Sequence, residues 1–264
     1  NVLDAVAELD GGLMVALDVV AELHAGRVRR EEPLPPFLLP YSRTILSQID
    51  PSSFDDRRDR QLGRLVGHAL AAPEGAETAE AFGATLHQAI ERKPTLRFKG
   101  RQVLGGLLKA QPEVTLELFL THQTPVALRA LSQPQPGGQA PLATVPHDTL
   151  CRWADREPDH RYPLLGSALP LFREDAQSKE HPLCQTALAV LAKAPDKARF
   201  LAESASNLHP RTCYVGALPT ILEERRAILM HAFGDHPDAD VQDWLAQKMA
   251  VLDRNIEEAR QQAT

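Results

Sequence analysis

The chain has 264 residues, 43% of them hydrophobic and 24% charged, a balance that excludes disorder of the whole chain. Lysine and arginine total 29 against 35 acidic residues, and the net charge of −6 sets the overall field against nucleic acid and other polyanions. Three cysteines, Cys151, Cys184 and Cys213, form no CxxC pair, which argues against a disulfide framework and a zinc knuckle.

Apolar residues recur at three- and four-residue steps from the start of the chain: Val2, Leu3, Val6 and Leu9, then Leu13, Leu17, Val20 and Ala21. Asn1 in place of methionine, with this periodicity beginning at once, suggests a piece of a longer multidomain polypeptide. The apolar stretch 13–23 is cut by Asp18 and Glu22 and lacks the basic flank of a signal peptide. No run approaches the roughly 18–20 apolar residues that span a bilayer, so the expectation is no membrane and a cytoplasmic location.

Residues 32–40 (EPLPPFLLP) carry four prolines and read as an irregular connection or a single apolar turn. Asp50-Pro51-Ser52-Ser53 offers turn and capping chemistry before a helix that opens on a charged run, 55–60 (DDRRDR), read as solvated. Helical periodicity resumes at Leu62, Leu65, Val66, Ala69 and Leu70, and again at Leu104, Leu107, Leu108, Val114 and Leu118. Between these lies 92–101 (RKPTLRFKGR), where Arg92, Lys93, Arg97, Lys99 and Arg101 occur with no acid and with Phe98 among them. Such cations neutralise phosphates, and an aromatic can stack a base, so these five are the candidate nucleic-acid or phosphate-binding residues. The competing reading is a solvated loop with Phe98 turned into the core.

The segment 132–141 (SQPQPGGQAP) resists helix and lacks apolar anchors; it reads as a linker between a helical subdomain, 1–131, and C-terminal HEAT-like helical repeats, 142–264, or as a long loop between repeats. Beyond it, short amphipathic helices alternate with proline-marked turns at 157–159, 194–196 and 234–238. The last unit is the clearest. Ile221, Leu222, Ala227–Leu229 and Phe233 line one helix, and Val241, Leu245, Met249 and Leu252 line the next. The polar end 255–264 has almost no apolar face and is expected to fray or terminate. Scarce aromatics and the absence of sustained alternation exclude an extensive sheet, so the fold is expected to be all-α.

The acidic, histidine-bearing stretch 231–243 holds His231, Asp235, His236, Asp238, Asp240 and Asp243. It has no HExxH pattern, and Gly234 and Pro237 explain it as a corner, so no metal is expected there. The run Glu223-Glu224-Arg225-Arg226 reads as the wet face of its helix, with an i,i+3 pair between Glu223 and Arg226. No Walker A, GxSxG or paired Cys/His pattern occurs, and neither a cofactor nor a catalytic residue is expected.

The corner 235–245 (DHPDADVQDWL) resembles the turn between the two helices of a HEAT repeat, with Gln242 where that family has arginine. Together with 107–119 (LLKAQPEVTLELF) and 208–222 (LHPRTCYVGALPTIL), it resembles helical C-terminal regions of large bacterial multidomain proteins, including STAND-type NTPases of antiviral defence. Thr212-Cys213-Tyr214 departs from the serine–tryptophan pair that follows HPR in that pattern. The resemblance implies a HEAT-like α-solenoid of stacked helix–turn–helix units that binds a protein partner and leaves chemistry to another domain. The alternative is a nucleic-acid-binding protein or DNA glycosylase-like enzyme on the same scaffold, which the net charge and only two tryptophans, Trp153 and Trp244, disfavour.

Overall fold

Each apolar stripe predicts a helix that must bury it, and the computed structural model is helical accordingly. It describes residues 5, 7–9, 11–53, 56–93, 95, 96, 100–122, 124–134, 139–173, 182–204 and 218–263. Among these no β-ladder forms, and a single antiparallel bridge joins Phe172 and Leu183. The chain is all-α and divides into two compact units, 1–149 and 150–264. No helix among the described residues is long and apolar enough to cross a membrane.

The first unit contains α1 (Gly12–Arg29), α2 (Leu38–Leu46), α3 (Asp56–Ala69), α4 (Ala76–Arg92), α5 (Arg101–Ala110), α6 (Pro112–Leu120) and α7 (Pro125–Ser132). Helix α2 arises from the end of the proline-rich stretch: Pro40 falls in its first turn, where a missing N–H leaves no hydrogen bond unmade. Pro112 and Pro125 open α6 and α7 for the same reason, and the Thr124 hydroxyl caps α7 by accepting from the Ala127 amide at 3.3 Å. Beyond α7, Ala140, Pro141, Leu142 and Ala143 are buried in this unit, within or beside a short 3-10 turn at Pro141–Thr144 that packs on α5.

The tightest packing lies between α3 and α5. A side chain added at Gly106 would collide with the Gly63 carbonyl, and one added at Gly63 with the Gln102 carbonyl. Only glycine permits this approach of two backbones. Asp59, buried on α3, receives the amides of Gln102 and Val103 at 3.0 Å each and so caps the start of α5 from a neighbouring helix. The charged run 55–60 was read as solvated. Asp59 departs from that because the orphan amides of α5 need an acceptor inside the contact. Contacts run from Asp59–Gln102 at one end to Gly67–Gly106 at the other, so α3 and α5 are parallel. The other end of α3 is closed by side chains: Arg43 donates to the Ala69 carbonyl at 2.7 Å, and Gln111 to Leu70 at 2.7 Å. Helices α4 and α6 also run side by side, with Gly83 facing Leu118 and the His87 ring 5.1 Å from Phe119.

The second unit takes in most of α8 (His147–Ala154), then α9 (Pro158–Ala168), α10 (Gln185–Lys193), α11 (Lys197–Ser204), α12 (Leu218–Phe233) and α13 (Ala239–Ala263). Trp153 is fully buried, and the Arg161 guanidinium lies over its ring at 4.6 Å while pairing with Glu157 at 2.9 Å. Helix α9 stops at Ala168, and residues 171–173 turn extended to meet 182–184. Gly166 lets α9 approach α11, and the Ser204 hydroxyl sits 3.0 Å from the Gly166 carbonyl.

Helices α12 and α13 form an antiparallel hairpin. Phe233 meets Trp244 near the turn, Arg226 pairs with Asp253 midway, and Glu223 pairs with Arg260 at the far end. These pairings replace the expected i,i+3 pair of Glu223 with Arg226, because the partner helix brings carboxylate and guanidinium closer. Arg225 is buried with its guanidinium 4.7 Å from the Phe172 ring centre, so this position does not belong to the wet face. The polar tail stays helical through Ala263, with Ile256 and Ala259 buried.

Candidate functional site

The basic stretch singled out in the sequence is spread over two helix ends. Arg92 and Lys93 are exposed at the close of α4 and line a small cavity of ≈ 240 Å³ with Asp50, Ser52, Thr85 and Gln88. The Asp50 carboxyl is held below the usual carboxylate range, first by the Ser52 hydroxyl and amide and then by Lys93 and Arg92. An acid distant in sequence thus faces these two cations, in addition to Glu91, which directly precedes Arg92. Arg101 opens α5, half-buried, and donates to the Pro134 carbonyl at 2.5 Å. Arg97, Phe98 and Lys99 lie outside the described residues.

The more developed site is a groove of ≈ 580 Å³ along the α3–α5 contact, built entirely within the first unit. Gly63, Gly67, Gly105 and Gly106 are among its lining residues, and Gly63 and Gly106 mark where the two backbones come closest. Arg64 and His68, one turn apart on α3, and Lys109 near the end of α5 supply its charge. Gln102, Thr144 and Thr149 add hydrogen-bonding groups, while Leu108, Pro112, Val145 and Pro146 make it otherwise apolar. No carboxylate is among the lining residues, and neither Arg64 nor Lys109 has an ion-pair partner among the described residues. Partial burial lowers the pKa of His68, and Lys109 lowers it further.

Behind His68 stands His24 of α1. Its ring is 1% exposed, lies edge-on to His68 at 4.8 Å, and has no hydrogen-bond partner at either nitrogen. Burial, then the charge of His68, pushes its pKa down to about 4. A second histidine pair, His87 and His122, has ring centres 5.6 Å apart, and burial lowers the His87 pKa.

In the second unit, the stretch 231–243 forms the corner between α12 and α13. The Gln242 amide donates to the carbonyls of Gly234 at 2.7 Å and His236 at 2.9 Å, which closes the end of α12. Asp238 accepts from the Asp240 amide at 3.1 Å. No group of three or more His, Cys, Asp and Glu comes together among the described residues. Cys151 and Cys184 are buried, and burial raises the Cys184 pKa. Cys213 lies outside the described residues.

Sequence reading missed Arg64, His68 and Lys109. The glycine spacing Gly63–Gly67 and the pair Gly105-Gly106 signal close helix contact, but nothing in the order of residues pairs those two helices. No protein-family model matches the chain, and no curated protein or solved structure matches it.

Proposed function

We propose that this chain is a non-catalytic protein-interaction module, a HEAT-like α-solenoid within a larger bacterial multidomain protein of the antiviral-defence kind. The observation that carries this reading is an exposed apolar row on α1, where Val15 (54% exposed) and Val19 (45%) stand one turn apart. Leu9 and Phe37 are exposed as well. Neighbouring large apolar side chains left in water favour burial against a partner.

Two features support the repeat architecture. The parallel pairs α3 with α5 and α4 with α6 are what successive helix–turn–helix units give when like helices stack. The α12–α13 corner uses Gln242 to hold the preceding carbonyls, at the position where a HEAT corner has arginine.

Photo-crosslinking in cells of the source organism tests the proposal. A photoreactive residue at Val15 or Val19 should yield one discrete protein adduct, and the same residue at Glu80 of α4 should yield none. No adduct at either valine overturns the reading. So does sub-micromolar binding of DNA at moderate salt that disappears when Arg97, Lys99 and Arg101 become alanine, which belongs to the glycosylase-like alternative.

A further inference from the structure

We propose that the groove over the α3–α5 contact binds a small phosphate-bearing ligand with a flat apolar body, with Arg64, His68 and Lys109 holding the phosphate. The argument begins with charge. In a chain of net charge −6, three cationic or titratable basic groups converge on one groove without a lining carboxylate. Arg64 and Lys109 also lack ion-pair partners among the described residues. Gathering like charges is unfavourable until an anion neutralises them, and the net acidity makes a chance cluster less expected.

The geometry is specific. Arg64 and His68 project from the same face of α3. A side chain placed on Gly67 would meet Lys109 Cδ at 3.9 Å, so the lysine stem crosses α3 beside His68. A phosphate carries close to two negative charges at neutral pH and several acceptor oxygens, enough to engage all three groups. A carboxylate would neutralise only one of the two standing charges, Arg64 and Lys109. The guanidinium also offers the fork geometry that phosphate oxygens accept in pairs.

The remainder of the groove suits an apolar plane. Leu108, Pro112, Val145 and Pro146 supply the apolar surface against which a ring can lie. Gln102, Thr144 and Thr149 provide donors and acceptors for the ring edge. A volume of ≈ 580 Å³ falls in the range of about 300–1,000 Å³ typical of small-molecule sites. His24 is a second, independent sign of an uncommon polar environment. A fully buried imidazole with no partner is rare, and this one abuts the groove residue His68. This recognition uses side chains and an apolar surface, and it needs no P-loop.

Isothermal titration of the full chain with adenosine diphosphate, inorganic pyrophosphate and a single-stranded oligonucleotide at moderate salt decides the matter. The expected result is saturable binding of the nucleotide at one site per chain, with pyrophosphate at least about ten-fold weaker because it lacks the apolar body. Arg64→Ala and Lys109→Ala should each weaken nucleotide binding by about ten-fold or more. Both residues are exposed, so circular dichroism should confirm unchanged folding. The control Arg92→Ala with Lys93→Ala should leave affinity unchanged. Absence of nucleotide binding at millimolar concentration overturns the proposal, as does affinity insensitive to the two groove substitutions. Pyrophosphate binding as tightly as the nucleotide removes the apolar half of the assignment. Binding of the oligonucleotide alone replaces it with a nucleic-acid surface.

Discussion

Replacing His24 with leucine should make the first unit less sensitive to acid. The native ring is buried and unbonded, and its pKa stands at about 4, against roughly 6.5 in an unfolded chain. Above pH 6.5 the ring is neutral in both states, and the full stability is present. As the pH falls from 6.5 toward 4, the unfolded chain takes up a proton that the folded chain refuses, so stability is lost across that window. The gap between the two pKa values sets a ceiling of about 3 kcal/mol, and at pH 5 the loss is about 2 kcal/mol. Histidines 68 and 87, also lowered, act in the same direction.

Leucine is close to histidine in volume, removes the titrating ring, and abolishes two orphan nitrogens. At pH 7.5 His24→Leu should therefore be at least as stable as the native chain. Tryptophan fluorescence cannot report the effect, since Trp153 and Trp244 both lie in the second unit. Urea denaturation followed by far-ultraviolet circular dichroism, with hydrogen exchange of peptides from α1 and α3, reads the first unit directly. Between pH 7.5 and pH 5 the native chain should lose about 2 kcal/mol more than the variant. Equal losses in the two proteins would refute the assignment of a neutral, buried His24.

Two glycine substitutions in helices should act with opposite sign. Gly26→Ala meets only the flexible end of Arg30, so it should gain about 1 kcal/mol of helix propensity. Gly106→Ala drives a methyl group into the Gly63 carbonyl and should cost about 1–3 kcal/mol net, visible as a lower Tm by circular dichroism. A stabilised Gly106→Ala variant would mean that α3 and α5 do not touch. In the second unit, Trp244→Ala should cost about 3–5 kcal/mol, since Trp244 is 5% exposed and packs edge-on against Phe233 at 6.0 Å. Trp153 remains as the reporter, and an unchanged melting temperature would remove the α12–α13 hairpin contact from the account.

Helical periodicity was sufficient to read the all-α class and the last hairpin. Val241, Leu245, Met249 and Leu252 are all buried, because a helix that must hide one stripe displays its spacing in the residue order. Proline likewise marked the turn at 194–196, between α10 and α11, whereas α9 starts at Pro158 itself, inside the stretch read as a turn, because proline fits the first turn of a helix. The candidate site was far less legible. Arg92 and Lys93 looked unopposed because Asp50, which faces them, stands more than forty residues earlier.

What the sequence by itself determined is local: where the backbone can be helical, where it must turn, and which face of each helix is apolar. Only the tertiary structure decided which charges are solvated and which have work inside a contact. Asp59 and Asp253 are both aspartates within charged helices, yet one caps α5 while buried and the other pairs on the surface with Arg226. It also decided that Arg64, His68 and Lys109 share a groove, because Gly63 and Gly106 let two helices distant in sequence lie backbone to backbone. Electrostatics and hydrogen bonding depend on distance in space, and the order of residues encodes that distance only within a turn or two of helix.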